Sequence, residues 1–416
     1  MKLYNFLYVT ILLVLCLSPK LGFTGIKKPK HFVILIHGIG GNKKTFGSLE
    51  KILNQDSLDL HTKTFEYRTG SILTTYDFAK ELHLFITKIL QNEGTGNDQI
   101  SLIMHSQGGI VGFLWLKYIS DNKIGYQKYL SSFITLSTPH WGADMANIGK
   151  MFFFSMPEGL ENPLSPFGRK ELNEMSFGSG TIYDMAQSID SVFNQFPNLR
   201  VLNIGGMKRF HNATIGEDDM VVPAYSMRSE RFYLKDEIKL YEKPKVKPIS
   251  FEDQNFERDF LMIPAEHIKL DQYGVADLPE NCLKIKQCDH PALPIILDHL
   301  KGQKVEKKWA YELSLFRVTV FVNNINLYEE DNKHFSIGVE GLNELIQIPV
   351  IERLSPHRGS AKIENATAFT FSGISKSNEK QKIFITLKHK NTKVQVYEAP
   401  IKAGLSTIMD LNLIRD

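Results

Sequence analysis

The stretch Met104-His105-Ser106-Gln107-Gly108-Gly109 constrains this chain more than any other part of it. It follows directly on the apolar run Gln99-Ile100-Ser101-Leu102-Ile103, which reads as a buried strand, and it opens a helical stretch to about Tyr118. A strand that turns at once into a helix belongs to a parallel sheet covered by helices. Glycines beside the serine let the bend be tight, and a serine at such a bend holds its hydroxyl clear of its own backbone. The next amide, that of Gln107, lies at the helix N-terminus, where it is able to donate to a developing oxyanion.

The surrounding sequence repeats the strand–helix alternation from about residue 30 to 302. His31 to Ile36 reads as a strand ending at His37-Gly38-Ile39-Gly40-Gly41, and Thr62 to Tyr67 as another. Ile72 to Leu90 has helical period, with Ala79, Leu82, Phe85, Ile86 and Ile89 on one face. Phe133 to Leu136, Leu199 to Ile204 and Phe260 to Ile263 read as further strands. In such sheets the chemistry gathers beyond the carboxyl ends of the strands. Beyond Gly302 the period changes to two: Leu313 to Val322, Phe335 to Val339, Ile346 to Ile351, Ala368 to Phe371, Lys382 to Leu387 and Val394 to Tyr397. That pattern predicts an antiparallel sandwich or small barrel over 305–416.

A serine hydroxyl is a poor nucleophile at neutral pH and needs a histidine oriented by a carboxylate. In this architecture the order along the chain is Ser, acid, His. Asp218 and Asp219 both lie in a loop beyond the strand that ends near Gly206. Asp219 is favoured, because Met220-Val221-Val222 leads back towards the core. Of His267, His290 and His299, the first follows the last strand on a loop, the second opens the final helix and the third sits inside it. His267 is favoured and His290 stays open.

His37-Gly38-Ile39-Gly40-Gly41, His105-Ser106-Gln107-Gly108-Gly109, Thr138-Pro139-His140-Trp141-Gly142 and Asp219 to Pro223 together resemble the α/β-hydrolase lipases and esterases, bacterial triacylglycerol lipases above all. The resemblance spans roughly residues 30–302. It implies a doubly wound, mostly parallel α/β-hydrolase sheet, followed here by the small sandwich-like all-β domain. It implies Ser106 as nucleophile, His267 as base then acid, Asp219 as orienting carboxylate, and an oxyanion hole from the amides of Ile39 and Gln107. His37 and His140 are expected to shape loops. The stretch Glu171 to Met185, with Ser179 within it, resembles a segment between cap and core. Such a chain is expected to hydrolyse carboxylic esters, lipid esters foremost, without metal or cofactor. Acyl transfer by the same residues, or a catalytically silent binding protein, are the alternatives. Met104 departs from the family, which carries Gly or Ala there, and is the feature that favours the silent reading.

Residues 141–198 form an insertion longer than a crossover helix requires. It includes Met151-Phe152-Phe153-Phe154-Ser155-Met156 and is expected to act as a lid. Charge excludes little: the 416 residues carry a net +3, 43% are hydrophobic and 23% charged, and no nucleic-acid partner is expected. Transient contact with a lipid surface is compatible with the short lysine clusters, and oligomeric state is left open. Lys2 followed by the apolar run Phe6 to Leu17 and the break Ser18-Pro19 reads as a secretory signal over 1–24, so that the mature chain is secreted or held at the cell envelope. Cys16 falls inside it, and Leu15 before it argues against lipidation. The remaining Cys282 and Cys288 are expected to form a local disulfide. Asn212 and Asn365 fit the glycosylation triplet.

Overall fold

The computed structural model describes residues 28–70, 73–143, 168–207, 218–239, 246–247, 258–269, 273–306, 308–309, 311–324, 335–340, 346–347, 351–354, 366–377, 379–390 and 392–414. The signal-like segment 1–24 with Cys16, the Met151 to Met156 run, Asn212 and Asn365 lie outside them. Six strands, β1 (His31–Ile36), β2 (Leu60–Phe65), β3 (Gln99–His105), β4 (Leu130–Leu136), β5 (Arg200–Gly206) and β8 (Asp259–Ile263), form one sheet in the order β2-β1-β3-β4-β5-β8. Every neighbouring pair is parallel, as the strand–helix alternation predicts.

The continuous apolar character of these strands reflects burial on both faces. Phe32, Ile34 and Ile36 of β1 face one core with the helices α2 (Thr75–Glu93), α3 (Gln107–Asp121) and α5 (Gly180–Asn194). Val33 and Leu35 face the other, with α1 (Leu49–Leu53) and α7 (Ala292–Leu300). Helix α2 starts at a capping box, Thr74 accepting from the Asp77 amide and Asp77 from the Thr74 amide. Its buried stripe is Phe78, Ala79, Leu82, Ile86 and Ile89. Cys282 and Cys288 form a disulfide beside the other core, that of α1 and α7. Among the described residues no helix is long and apolar enough to cross a membrane.

The remaining strands build two further sheets. One runs β10 (Phe335–Glu340), β14 (Gln381–His389), β15 (Thr392–Ile401), β7 (Val246–Lys247); the other runs β11 (Ile346–Gln347), β13 (Ala366–Ser375), β9 (Leu315–Asn323), β16 (Ser406–Ile414), β6 (Arg231–Lys239), with β12 (Ile351–Leu354) beside β13. They pack across a shared core that includes Phe316, Val318, Val320, Ile385, Tyr397 and Leu411, which makes a sandwich. Three features escaped the sequence reading. Strand β16 is missing from it; β6 and β7 come from residues 231–247, well before Gly302; and β16 runs parallel to both β9 and β6. Alternation reports which side chains share a face, not which strands pair or in which direction.

Strand β9 is buried along its whole length. Phe316, Val318, Val320 and Val322 enter the sandwich core, whereas Phe321, with Ala368 and Ile408, belongs to the core of the α/β sheet. Part of this sheet's outer face therefore packs against the α/β unit.

Candidate active site

Ser106 sits between β3 and α3 at φ 53° and ψ −125°, a backbone conformation that L residues rarely adopt. The bend is held because the chain around it leaves no slack. A Cβ at Gly108 would lie 2.4 Å from the Ile36 carbonyl, one at Gly109 would lie 2.0 Å from Thr138 Oγ1, and one at Gly38 would lie 2.6 Å from Ser106 Cβ. Both neighbouring glycine loops are therefore needed for the turn to close.

Met104 is fully buried, and its sulfur lies against α3 at Gly112, where an added Cβ would be 2.1 Å from Sδ. The small residue that the family places in the strand is here supplied by the facing helix. The turn at Ser106 forms with Met104 in place. Gly112→Ala is expected to destabilise the protein by about 1–3 kcal/mol through overpacking. Met104→Ala should then cost less in that background than it does in the wild-type chain. Strictly additive shifts in the unfolding midpoints of the two singles and the double would show that methyl and sulfur do not compete.

His267 follows β8 on a loop, as the sequence places it. Its Nε2 is 2.9 Å from Ser106 Oγ and its Nδ1 is 2.8 Å from Asp219 Oδ2. Asp219 is completely buried, and its other oxygen accepts from the amides of Val221 (3.1 Å) and Val222 (2.8 Å). Burial pushes this carboxyl up, but the charge of His267 and hydrogen bonds from His267, Ser137 and the Val222 amide outweigh it and hold the group below the usual carboxylate range. Asp218 instead accepts from the Met220 amide at 2.9 Å, next to a residue at φ 87°, and so shapes the turn. The other histidines are engaged elsewhere: His290 Nε2 donates to Gly274 O at 3.0 Å, and His299 Nε2 lies 3.3 Å from Arg200 O.

Gly38 packs on Ser106, and the amides that follow these two residues along the chain are those of Ile39 and of Gln107, the first residue of α3. Among the described residues neither amide has an acceptor. The loop carrying Ile39 is braced by Tyr67. Tyr67 stacks on His37 with centroids 4.3 Å apart and planes 5° from parallel. The Tyr67 hydroxyl donates to His37 O at 2.7 Å, with Gln107 Oε1 3.3 Å away. Burial lowers His37 and raises Tyr67, so both remain neutral near pH 7. His140 is also a loop residue, its Nε2 3.4 Å from Thr135 Oγ1 and its imidazole held down to about 3 by burial and the Arg258 charge.

Several supporting groups were not legible in sequence. His105 Nε2 donates to the carbonyl of His267 at 3.0 Å, while the His267 amide donates to Asp219 O at 2.9 Å, so the base loop is tied on both sides. Burial, reinforced by His267, lowers His105 to about 3, which keeps it a neutral donor. Ser137, at φ 50°, accepts from Gly206 and donates to Asp219. The insertion is stitched to the core by two buried acids of α4 (Arg169–Met175). The Glu171 carboxylate accepts from the Gly70 amide at 3.1 Å, and Glu174 Oε2 accepts from the Thr75 amide at 2.7 Å at the start of α2. An acid three residues from another on a short helix gives no sequence signal for such a role. Among the described residues no cluster of side chains has the makings of a metal site.

Residues 26–226 match the family described as “Putative serine esterase (DUF676)”. Phospholipase PlaB from Legionella pneumophila superposes with a TM-score of 0.63 at 12% identity, covering 92% of this chain and 93% of that one. The lipase BlEst2 from Bacillus licheniformis gives 0.37 at 18% identity over 49% of this chain and 82% of its own. No curated protein matches the sequence significantly. The fold shared with PlaB takes in both the α/β sheet and the appended β sheets.

Proposed function

We propose that this chain is a lipase- and esterase-type hydrolase in which Ser106, His267 and Asp219 cleave carboxylic esters of lipids through an acyl-enzyme. The observation that carries this reading is the relay from Asp219 to His267 to Ser106, at 2.8 and 2.9 Å, on a backbone bent as a nucleophile elbow. His267 takes the Ser106 proton as Oγ attacks the ester carbonyl, and the carbonyl electrons move to oxygen. The amides of Ile39 and Gln107 donate to that oxyanion. Collapse expels the alcohol with the proton from His267. Water, deprotonated by the same imidazole, then frees the acid and restores the serine.

Lipid esters are the substrate class that the surroundings of the site favour. Ile268, directly after His267, is 57% exposed, and Ile39 and Val221 beside the site are only partly covered. An acyl chain leaving Ser106 has apolar surface to follow there. The unit 30–302 is read as the catalytic domain with the 141–198 insertion as its lid, and 305–416 as the C-terminal domain. Export through residues 1–24 agrees with a disulfide that an oxidising compartment would preserve.

A fluorophosphonate probe should label the protein once per chain, with the label recovered on the peptide containing Ser106. Turnover of nitrophenyl esters should rise with acyl length from two carbons upward. A folded protein that takes up no label would overturn the reading in favour of a binding role, and labelling with transfer of acyl groups to an added alcohol in preference to water would make it an acyltransferase.

A further inference from the structure

The face of β9 turned away from the sandwich core carries Arg317, Thr319, Phe321 and Asn323. Instead of meeting solvent, these side chains meet the α/β unit. The Phe321 ring stands edge-on to Tyr183 of α5 at 4.9 Å, and the amide of Asn323 donates to the Tyr183 hydroxyl at 2.9 Å. Asp410 of β16 accepts from Tyr183 at 3.0 Å, Gln187 at 2.8 Å and Tyr233 at 2.9 Å.

Arg317 is only 6% exposed. Its Nε donates to Thr370 Oγ1 at 2.8 Å, and its Nη1 lies 3.2 Å from Ser372 Oγ and 3.1 Å from the Tyr225 hydroxyl. The guanidinium lies over the Phe177 ring, 3.2 Å from its centroid. Tyr225 belongs to α6 (Ala224–Met227), which follows the Asp219–Pro223 loop without a break. A second strut from the β domain, Ser406 Oγ, donates to the Tyr225 carbonyl at 3.1 Å. From the other side, Ser226 Oγ accepts from the Trp141 amide at 3.0 Å and donates to Gly142 O at 2.6 Å. Phe177 in turn presses on Gly142, where an added Cβ would lie 2.6 Å from the ring.

We propose that Arg317 is a positioning residue: it clamps the short helix behind the Asp219 loop and the Phe177 turn of the insertion, which makes the C-terminal β domain part of the catalytic unit. The proposal rests on the reading of Asp219 as the orienting carboxylate. The physical argument is one of leverage. The Asp219 oxygen has to stay within hydrogen-bond reach of His267, and a displacement of about 1 Å costs on the order of a hundredfold in rate. The loop reaches α6 a few residues on, so motion of Tyr225 is passed to Asp219. Arginine suits the clamp because its plane stacks on Phe177 while its edge donates to Tyr225, Ser372 and Thr370 together, which lysine cannot do.

The test uses the full-length protein, a short soluble nitrophenyl ester, and temperatures well below the unfolding midpoint of every variant. Arg317→Met and Arg317→Lys should each lower kcat at least tenfold with KM within twofold of wild type. Tyr225→Phe, which keeps the ring and loses the hydroxyl that accepts from Arg317, should lower kcat several-fold. Ile385→Ala, in the sandwich core far from these contacts, should lower the midpoint and leave kcat unchanged. A readout independent of turnover is hydrogen exchange in the peptide spanning 219–227, whose Val221 and Val222 amides donate to Asp219. It should speed up in the Arg317 and Tyr225 variants and stay as in wild type for Ile385→Ala. If Arg317→Met fails to fold, Tyr225→Phe decides by the same two readouts. Unchanged exchange and kcat in the folded variants, or equal losses in Ile385→Ala, overturn the proposal. An inactive wild type whose exchange still depends on Arg317 would instead overturn the enzymatic reading and leave the clamp standing.

Discussion

Ser106→Ala is expected to lower kcat for a nitrophenyl ester by about 10⁶-fold, to the level left by the oxyanion donors and binding alone. The change removes one oxygen and adds no atom, so packing against Gly38 and β3 is undisturbed. The strained φ of 53° persists in the variant, and the unfolding midpoint should stay within a few degrees of wild type. His267 Nε2 then faces the Cβ methyl across the space that Oγ now occupies 2.9 Å away. His267→Ala on its own should cost nearly as much, and the double variant little more than either, because the two act as one proton-transfer device. Retention of more than a hundredth of wild-type turnover in a purified, folded Ser106→Ala protein would show that another group performs the attack.

Asp219→Asn is expected to lower kcat by about 10⁴-fold with little change in KM. Asparagine is nearly isosteric, and its carbonyl oxygen can still accept from Val221 and Val222, so the turn survives. The amide nitrogen then points at His267 Nδ1, which lies 2.8 Å from Asp219 Oδ2. That nitrogen donates where the carboxylate accepted, which favours the imidazole tautomer with its proton on Nε2. Such an imidazole cannot take the proton of Ser106. The comparison variant is Asp218→Asn, whose side chain accepts from the Met220 amide and so shapes that turn; it should change kcat by less than tenfold. Equal losses in the two variants would show that the loop as a whole, and not the Asp219 charge, sustains turnover.

The candidate triad was legible in sequence because each member lies where a strand ends, and a parallel sheet gathers its strand ends at one edge. Ser106 was marked by its strand and glycines, and Asp219 and His267 by following β5 and β8. The choice between Asp218 and Asp219 was narrower, since adjacent loop residues differ only in direction, and direction is set by Ser137, Val221 and Val222. His105, Tyr67 and Glu174 could not be read at all. Each acts through a partner 30 or more positions away, and a single chain of letters carries no distance between such residues.

Met104 shows the same limit from the other side. In sequence it is a misfit within the elbow, because the compensating residue is Gly112, on the facing helix and not in the motif. Packing conserves volume across a contact, so a large residue in the strand and a glycine in the helix fill the space that the opposite arrangement would fill.

What the letters alone determined is the alternation of elements: period-two and period-3.6 patterns follow from side-chain direction on a strand and a helix, and these are local properties. They were enough for a parallel sheet with a serine at the bend after its third strand, and for a second, all-β region. Only tertiary structure decided how that second region is used. Arg317, Thr319 and Asn323 alternate with valines and read as a solvent face, yet they are buried against Tyr225 and Tyr183. Strand β6, drawn from the middle of the chain, extends the same sheet through β16. Polar side chains tolerate water or a partnered interior equally well, so their pattern cannot say which surrounds them; the docking of one sheet face on the α/β unit settles it.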